Sequence, residues 1–132
     1  MSAPDYAKDG WCLEDGEDCH RAAPTTFHIP DLELRRAFVS PGDLAKLIFK
    51  IAVEGDEHGA AERMWVIVRE RTPTGYVGML NNELDSIAGN NQFWLGTELP
   101  FEYRHIIAVA HGDEASVALA KAPVPFPWDR SR

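Results

Sequence analysis

The segment LAKLIFKIAV at residues 44–53 restricts the fold of this chain more than any other stretch. Every second residue from 45 to 53 is apolar, and Lys46 and Lys50 stand between them. Successive side chains of a β-strand point to opposite faces, so this period of two predicts a strand with one face in a core. The two lysines mark the opposite, solvated face and favour a sheet that is covered on one side.

A β-hairpin is predicted over residues 62–80. Its first strand contains the run MWVIV, which is apolar on both faces, as in a central strand that is buried on both sides. The turn at 72–75 leads into a second strand over 76–80, where Gly78 indicates a bulge or a sharp bend. Residues 54–59 are polar and predict a loop before the hairpin.

Shorter elements surround these strands. Residues 99–102 and 104–110 predict one or two further strands, and residues 115–121 fit either a short helix or a strand. A short helix is predicted over 31–38, where Asp31 is the capping residue. Residues 83–92 predict a loop or one short helical turn.

Four or five short strands between residues 43 and 110, joined by tight turns, predict a mainly β fold with little helix. A small antiparallel sheet protects its edges best by closing on itself. We therefore expect a small, strongly bent antiparallel sheet or an SH3-like barrel, with one short helix and packed N- and C-terminal arms. Leu47, Phe49, Val66 and Ile106 are expected to fill its interior. An open α+β sheet with one covering helix is the alternative.

Three regions are predicted along the chain. Residues 1–26 form an irregular, acidic N-terminal arm, residues 27–111 form the β-rich core domain, and residues 112–132 form a proline-rich C-terminal tail. The first 20 residues hold six acidic side chains against the single base Lys8. The arm is therefore either a solvated tail that aids solubility or a segment that engages a basic partner.

Thirteen lysines and arginines against 21 aspartates and glutamates give a formal net charge of -8. Nucleic acids and anionic membrane surfaces are bound by clustered cations, so this balance argues against both as partners. The start of the chain, MSAPD, has neither the basic residue nor the apolar run of a secretory signal. We therefore expect a cytoplasmic location, where the two cysteines stay reduced.

Several motifs together resemble a family of small bacterial domains of unknown function. They are PGDLAKLIF at 41–49, ERMWVIV at 62–68, GYVGMLNN at 75–82 and HII at 105–107, preceded by HR at 20–21 and TFHIP at 26–30. The resemblance implies a compact β-rich unit, sometimes found near immunity or regulatory proteins, and it implies no catalytic residues. The sequence NEL at 82–84 departs from the turn that the family has there.

Cys12, Cys19 and His20 lie within nine residues and are side chains that zinc prefers as ligands. Their spacing matches no common structural zinc pattern, so a zinc-stabilised arm competes with cysteines that bind nothing. Cys12 with His20 or His28 is also a candidate thiol nucleophile and base, although the neighbouring acidic residues oppose formation of a thiolate. No cofactor is expected, since the phosphate-binding glycine motifs are missing.

Large aromatic residues are numerous for a small domain, and such rings often anchor protein interfaces. The predicted partner-binding residues are Trp94, Tyr76, Tyr103 and Trp128. In the simpler interpretation Trp65 belongs to the core, and Trp11 and Trp128 hold the termini onto the domain.

These patterns predict a non-enzymatic module that binds a protein or peptide or serves in regulation. One alternative is a small thiol-dependent hydrolase that uses Cys12 with a nearby histidine. The other is a structural role, in which the proline-rich tail joins two copies into a homodimer.

Overall fold

The computed structural model describes residues 1–37, 39–81 and 95–132. Its elements follow in chain order: α1 (Tyr6–Asp9), β1 (Trp11–Leu13), α2 (Gly16–Ala22), α3 (Leu32–Ala37), β2 (Leu44–Val53), β3 (Asp56–Arg71), β4 (Gly75–Leu80), β5 (Glu98–Glu102), a 3₁₀ turn (Tyr103–His105), β6 (Ile106–Ala110) and α4 (Glu114–Lys121). The prediction for residues 83–92 falls outside the described residues.

An antiparallel sheet in the order β1-β2-β3-β4-β5 forms the body of the fold, and β6 pairs with β2. The sheet curls strongly into a half-barrel, and the helices are few and short. This arrangement confirms the predicted mainly β fold with a strongly bent sheet. The residues expected to fill the interior are fully buried in one apolar cluster: Leu47, Phe49, Val66 and Ile106.

β2 occupies the residues predicted for it and pairs along most of its length with β3. Its inward face is fully buried, as the alternation predicts, at Ala45, Leu47, Phe49 and Ile51. The opposite face is partly covered by aromatic rings. The Nζ atom of Lys46 lies 5.6 Å from the ring centroid of Trp65, and that of Lys50 lies 5.1 Å from the ring of Tyr6. Trp65 is therefore half-buried on this face, and its predicted place in the core is wrong.

β3 and β4 form the predicted hairpin, with a bulge next to Gly78. The register shifts just after Val68 pairs with Gly78, which makes Arg69 the extra residue in β3. A Cβ atom on Gly78 would lie only 2.5 Å from Cγ1 of Val66. The missing side chain therefore lets β3 and β4 bend tightly over the core.

The loop predicted at 54–59 is wrong, because β3 begins at Asp56. Val53 pairs with Asp56 across a tight turn, in which Gly55 has a φ of +83°. The first residues of β3 are exposed, so backbone pairing maintains this end of the hairpin without burial of side chains. No apolar alternation marks a strand of this kind in the sequence.

The N-terminal arm is structured, and the prediction of an irregular segment is wrong. The side chain of Asp5 accepts the N–H of Lys8 at 3.0 Å to cap α1, and that of Asp15 accepts the N–H of Asp18 at 3.0 Å to cap α2. β1 pairs with the outer end of β2. These elements are too short to show a period in the sequence, and pairing with the sheet stabilises them.

The C-terminal residues pack against the sheet, as predicted for the arms. Asp113 caps α4 by accepting the N–H of Ser116 at 2.8 Å. After α4 the chain runs beside the start of β5, where Phe126 and Thr97 form a parallel bridge. The N–H of Glu98 donates to the Phe126 carbonyl at 2.9 Å. The tail thus covers part of an edge strand that would otherwise expose its backbone groups.

Candidate functional site

The residues predicted for zinc do not converge on a metal site. Cys12 lies on β1, and Cys19 and His20 lie on α2. The Nδ1–H of His20 donates to the carbonyl of Phe27 at 2.6 Å. Within residues 1–37, 39–81 and 95–132, no group of three or more His, Cys, Asp or Glu side chains is arranged to hold a metal ion. The structure therefore gives the predicted zinc-stabilised arm no support.

Neither cysteine is an activated nucleophile. Burial, together with the nearby Glu14 carboxylate, raises the pKa of the Cys12 thiol. Burial also raises the pKa of Cys19, and Glu14, Asp15 and Asp18 act in the same direction. A nucleophilic cysteine needs a lowered pKa, so these surroundings oppose thiol catalysis.

Two of the predicted partner-binding tyrosines lie side by side inside the fold. Tyr76 on β4 is fully buried, and its hydroxyl donates to the carbonyl of Arg35 at 2.6 Å. Its ring meets that of Tyr103 edge to face, with 5.6 Å between the centroids. Tyr103 is half-buried, and the Arg36 guanidinium lies 5.5 Å from its ring centroid. Both rings therefore make their main contacts within the chain.

Trp128 joins the two termini to the sheet. Its ring packs edge to face on that of Trp11 at 6.0 Å, and its Nε1–H donates to the carbonyl of Ser2 at 3.2 Å. Its backbone N–H donates to Oε1 of Glu98 at 3.0 Å. Trp94 lies outside the described residues. Partner binding by these four aromatic residues stays a prediction.

Apolar side chains left in solvent gather elsewhere, around α4. Leu95, Leu119 and Phe126 are 49%, 42% and 47% exposed. Leu95 and Leu119 line a cavity of about 240 Å³ whose other walls are also mostly apolar: Met79, Leu80, Asn81, Gly96, Ala122, Pro123 and Pro125. We call this cavity, with its extension past Leu119, the α4 groove.

The rotation of α4 creates this groove. Ala120 is buried against Ile67 and Met79 of the sheet, and the buried Ser116 hydroxyl donates to the Gly42 carbonyl before β2, while Leu119 stays 42% exposed. Arg69, the bulge residue of β3, fixes the end of the helix by donating from Nη1 to the Leu119 carbonyl at 3.2 Å and to the Ala122 carbonyl at 2.8 Å. Hydrogen bonds from the Arg69 side chain to backbone carbonyls therefore hold this wall of the groove in place.

The α4 groove continues into an acidic end. A second cavity, of about 210 Å³, shares Leu119 and Asn81 with the first. Asp113 and His111 line it together with residues at the start of α4. The backbone N–H of Ser116 lowers the pKa of Asp113, so this carboxylate is charged at neutral pH. One continuous surface thus joins an apolar cavity to a negative charge.

The sequence patterns did not point to Leu119 or Leu95. Leu119 lies in a segment that fits helix or strand equally well, and its exposure depends on how α4 rotates against β3. Leu95 borders residues outside the described part of the chain. One sequence feature does indicate an apolar helix face here. The apolar residues Ala115, Ala118, Leu119 and Ala122 follow the i, i+3, i+4, i+7 spacing of one side of a helix.

A scan against protein-family models finds no match to this chain, and searches of curated proteins and of solved structures find none either. Among the described residues, none of the helices has the length and apolar character required to cross a bilayer.

Proposed function

We propose that this chain is a non-enzymatic binding module that holds a basic segment of another protein in the α4 groove. The observation that carries the proposal is Leu119, an exposed apolar side chain placed between an apolar cavity and the Asp113 carboxylate. Exposed apolar patches with a polar rim often mark protein interaction sites.

The apolar end supplies affinity. A cavity of about 240 Å³ is smaller than most sites for drug-sized ligands and suits one or two side chains of a peptide. Covering a leucine or phenylalanine side chain contributes about 1.5–3 kcal/mol. Pro123 and Pro125, whose rings fix the backbone φ angle, line part of this end, so these two residues lose little conformational freedom when the partner binds.

The negative net charge of the chain favours a basic partner. A net charge of -8 attracts cationic segments and repels a second copy of the same chain. Asp113 places a negative charge about 1.7 helical turns before Leu119, at the other end of the groove. A segment with an apolar anchor followed by lysine or arginine complements both features.

The test is selection from a displayed random-peptide library on the folded chain at neutral pH. We expect enriched peptides to combine a leucine or an aromatic residue with lysine or arginine. Leu119→Asp should weaken their binding at least about tenfold, as for a buried interface anchor. Chemical-shift changes should include Leu95, Leu119 and Asp113.

Leu34 provides the matched control, because it is 45% exposed on α3, away from the groove. Leu34→Asp should leave the binding of the selected peptides unchanged. A library that yields no such peptide, or peptides that bind both variants equally, contradicts the proposal. Measurement of the mass in solution at working concentration separates it from a homodimer, in which Leu119→Asp would change the oligomeric state instead.

A further inference from the structure

Another cavity, of about 470 Å³, lies apart from the α4 groove and shares none of its residues. The turn between β3 and β4, the end of β5 and the N-terminal residues form its walls. These residues are Met1, Ala3, Arg71, Thr72, Pro73, Thr74, Pro100, Phe101, Glu102 and His105. We call it the His105 cavity. Its size is within the range of sites for small organic ligands.

Among the residues that the structure describes, the Nε2–H donor of His105 has no hydrogen-bond acceptor. The side chain is only 4% exposed, and its Nδ1 accepts the N–H of Glu102 at 2.9 Å. Burial lowers the pKa of His105 to about 4, so the ring is neutral at pH 7 and carries its proton on Nε2. In the described part of the chain no acceptor contacts Nε2. A buried donor without an acceptor is costly, which makes it a pointer to a ligand.

Arg71 brings a positive charge to the same cavity. Its Nη2 is 3.4 Å from the Tyr76 hydroxyl and its guanidinium is 5.6 Å from that ring, and these are weak contacts. Over the described residues no carboxylate lies within 4.0 Å of it. Six other arginines do have carboxylate partners in this acidic chain: Arg21, Arg35, Arg69, Arg104, Arg130 and Arg132.

Glu102, an acidic residue of the cavity wall, is paired with a neighbouring arginine. Its Oε2 lies 3.3 Å from Nη2 of Arg104, and its side chain accepts the backbone N–H of His105. Arg104 also pairs with Asp15 at 3.1 Å. Arg104 thus offsets part of the Glu102 charge, and Arg71 is a wall residue whose guanidinium has no carboxylate partner among the described residues.

We propose that the His105 cavity binds a small organic carboxylate with an apolar body. The carboxylate oxygens would accept from the Arg71 guanidinium and from Nε2–H of His105. Phe101, Pro73 and Pro100 would cover the apolar body. The planar fork of one guanidinium matches a carboxylate, whereas a phosphate dianion calls for more cations than this cavity offers.

The test uses three probes on the full chain: 3-phenylpropanoate, its neutral amide 3-phenylpropanamide, and acetate. We expect 3-phenylpropanoate to bind at least about tenfold more tightly than the amide, which lacks the charge, and than acetate, which lacks the ring. Calorimetry gives the affinities. Nitrogen NMR of the imidazole reports directly on His105, whose Nε2–H signal should shift with 3-phenylpropanoate and hardly with the amide.

Two variants locate the site. Arg71→Gln should weaken 3-phenylpropanoate at least about tenfold and leave the amide unchanged. His105→Asn retains an acceptor for the Glu102 N–H in the place of Nδ1 but removes the Nε2 donor, and it should weaken the same probe with the fold intact. Arg63→Gln is the control, because Arg63 also lacks a carboxylate partner among the described residues but lies over the ring of Phe27.

Equal affinity for the charged and neutral probes overturns the proposal, as does equal affinity of the Arg71→Gln and Arg63→Gln variants. Absence of binding by every probe overturns it as well. Leu119→Asp, which tests the α4 groove, should not affect any of the three probes, so the two proposals fail independently.

Discussion

The hydroxyl of Tyr76 donates a hydrogen bond to the backbone carbonyl of Arg35 at 2.6 Å. The same hydroxyl lies 3.1 Å from the carbonyl of Arg36. These carbonyls belong to the last turn of α3, where no further helical N–H is available to them. A buried tyrosine of β4 thus terminates a six-residue helix that has little stability of its own.

Replacing Tyr76 by phenylalanine should therefore leave the carbonyls of Arg35 and Arg36 without this donor while keeping the aromatic packing. We expect a loss of about 1–2 kcal/mol in the free energy of unfolding, because the α3 carbonyls then lack a buried donor. Urea denaturation measures it. Tyr103→Phe is the matched control, since the Tyr103 hydroxyl has no hydrogen bond within the described residues, and a similar loss there would contradict this role.

Arg35 should contribute more to stability than its exposed neighbour Arg36. Arg35 is buried, and its guanidinium donates to the carboxylate of Glu17 at 2.7 Å and to the carbonyls of Tyr103 and Pro30 at 2.9 and 2.8 Å. Arg35→Met leaves these acceptors unpaired and should cost about 3 kcal/mol or more. Thermal unfolding of Arg35→Met and of Arg36→Met compares the two residues. Equal melting temperatures of the two variants would show that the hydrogen bonds of Arg35 do not stabilise the fold.

Stability should fall as acid protonates His105. Its pKa is near 6.5 in the unfolded chain and about 4 in the folded one, where burial, and to a lesser degree Arg104, disfavours the charged ring. The unfolded state therefore binds more protons between these values, and the folded state loses up to about 3 kcal/mol as the pH falls from 6.5 to 4.

Carboxylates of the chain also titrate over part of this pH range. The contribution of His105 to stability is therefore measured as the difference in free energy of unfolding between the wild type and a variant without the histidine. Denaturation of the wild type and of His105→Asn at each pH supplies it. The free energy of unfolding of the wild type minus that of the variant should fall steadily as the pH is lowered below 6.5. A difference that stays constant down to pH 4 would show that the folded pKa of His105 is not lowered.

Trp128 should be needed to hold both termini. The Trp128→Ala variant loses the edge-to-face contact with Trp11 and the hydrogen bond to the Ser2 carbonyl. We expect its free energy of unfolding to fall by about 2–4 kcal/mol. Phe126→Ala, two residues earlier and 47% exposed, should cost about 0.5 kcal/mol or less. Tryptophan fluorescence during denaturation follows both variants, and similar midpoints would argue against Trp128 as the anchor.

Both thiols should react slowly with a disulfide reagent. Burial and neighbouring carboxylates raise the pKa values of Cys12 and Cys19, which lowers the thiolate fraction at neutral pH. Labelling rates of the single variants Cys12→Ser and Cys19→Ser should be lower than that of the urea-unfolded chain. A rate above the unfolded value would revive the thiol-hydrolase hypothesis.

The sequence predicted a strand correctly where one face of that strand is buried and the other is not. β2 alternates along its length because its inward face lies in the core, and its bounds follow from that alternation. The start of β3 at Asp56 escaped prediction because an exposed hairpin end has no buried face. α1, β1 and α2 were not predicted for a similar reason, since α1 and β1 depend on contacts with β2, and α2 depends on contacts with the 3₁₀ turn.

Neither candidate site was visible as a motif. Leu119 is left in solvent only because Ala120 packs against the sheet and Ser116 is buried against the turn before β2. His105 belongs to a sequence motif, but the 3₁₀ turn determines that Nδ1 meets the Glu102 N–H and that Nε2 is left over. Such roles depend on which way a side chain faces.

The amino-acid sequence alone determined the β-rich class, the central strands and the four interior side chains Leu47, Phe49, Val66 and Ile106, because burial of apolar surface leaves a periodic trace in the chain. Only the tertiary structure decided that the acidic arm joins the sheet, that α4 leaves Leu119 in solvent, and that Arg71 and His105 share a cavity. Those relationships join residues far apart in the chain, and they arise from packing geometry that no local pattern records.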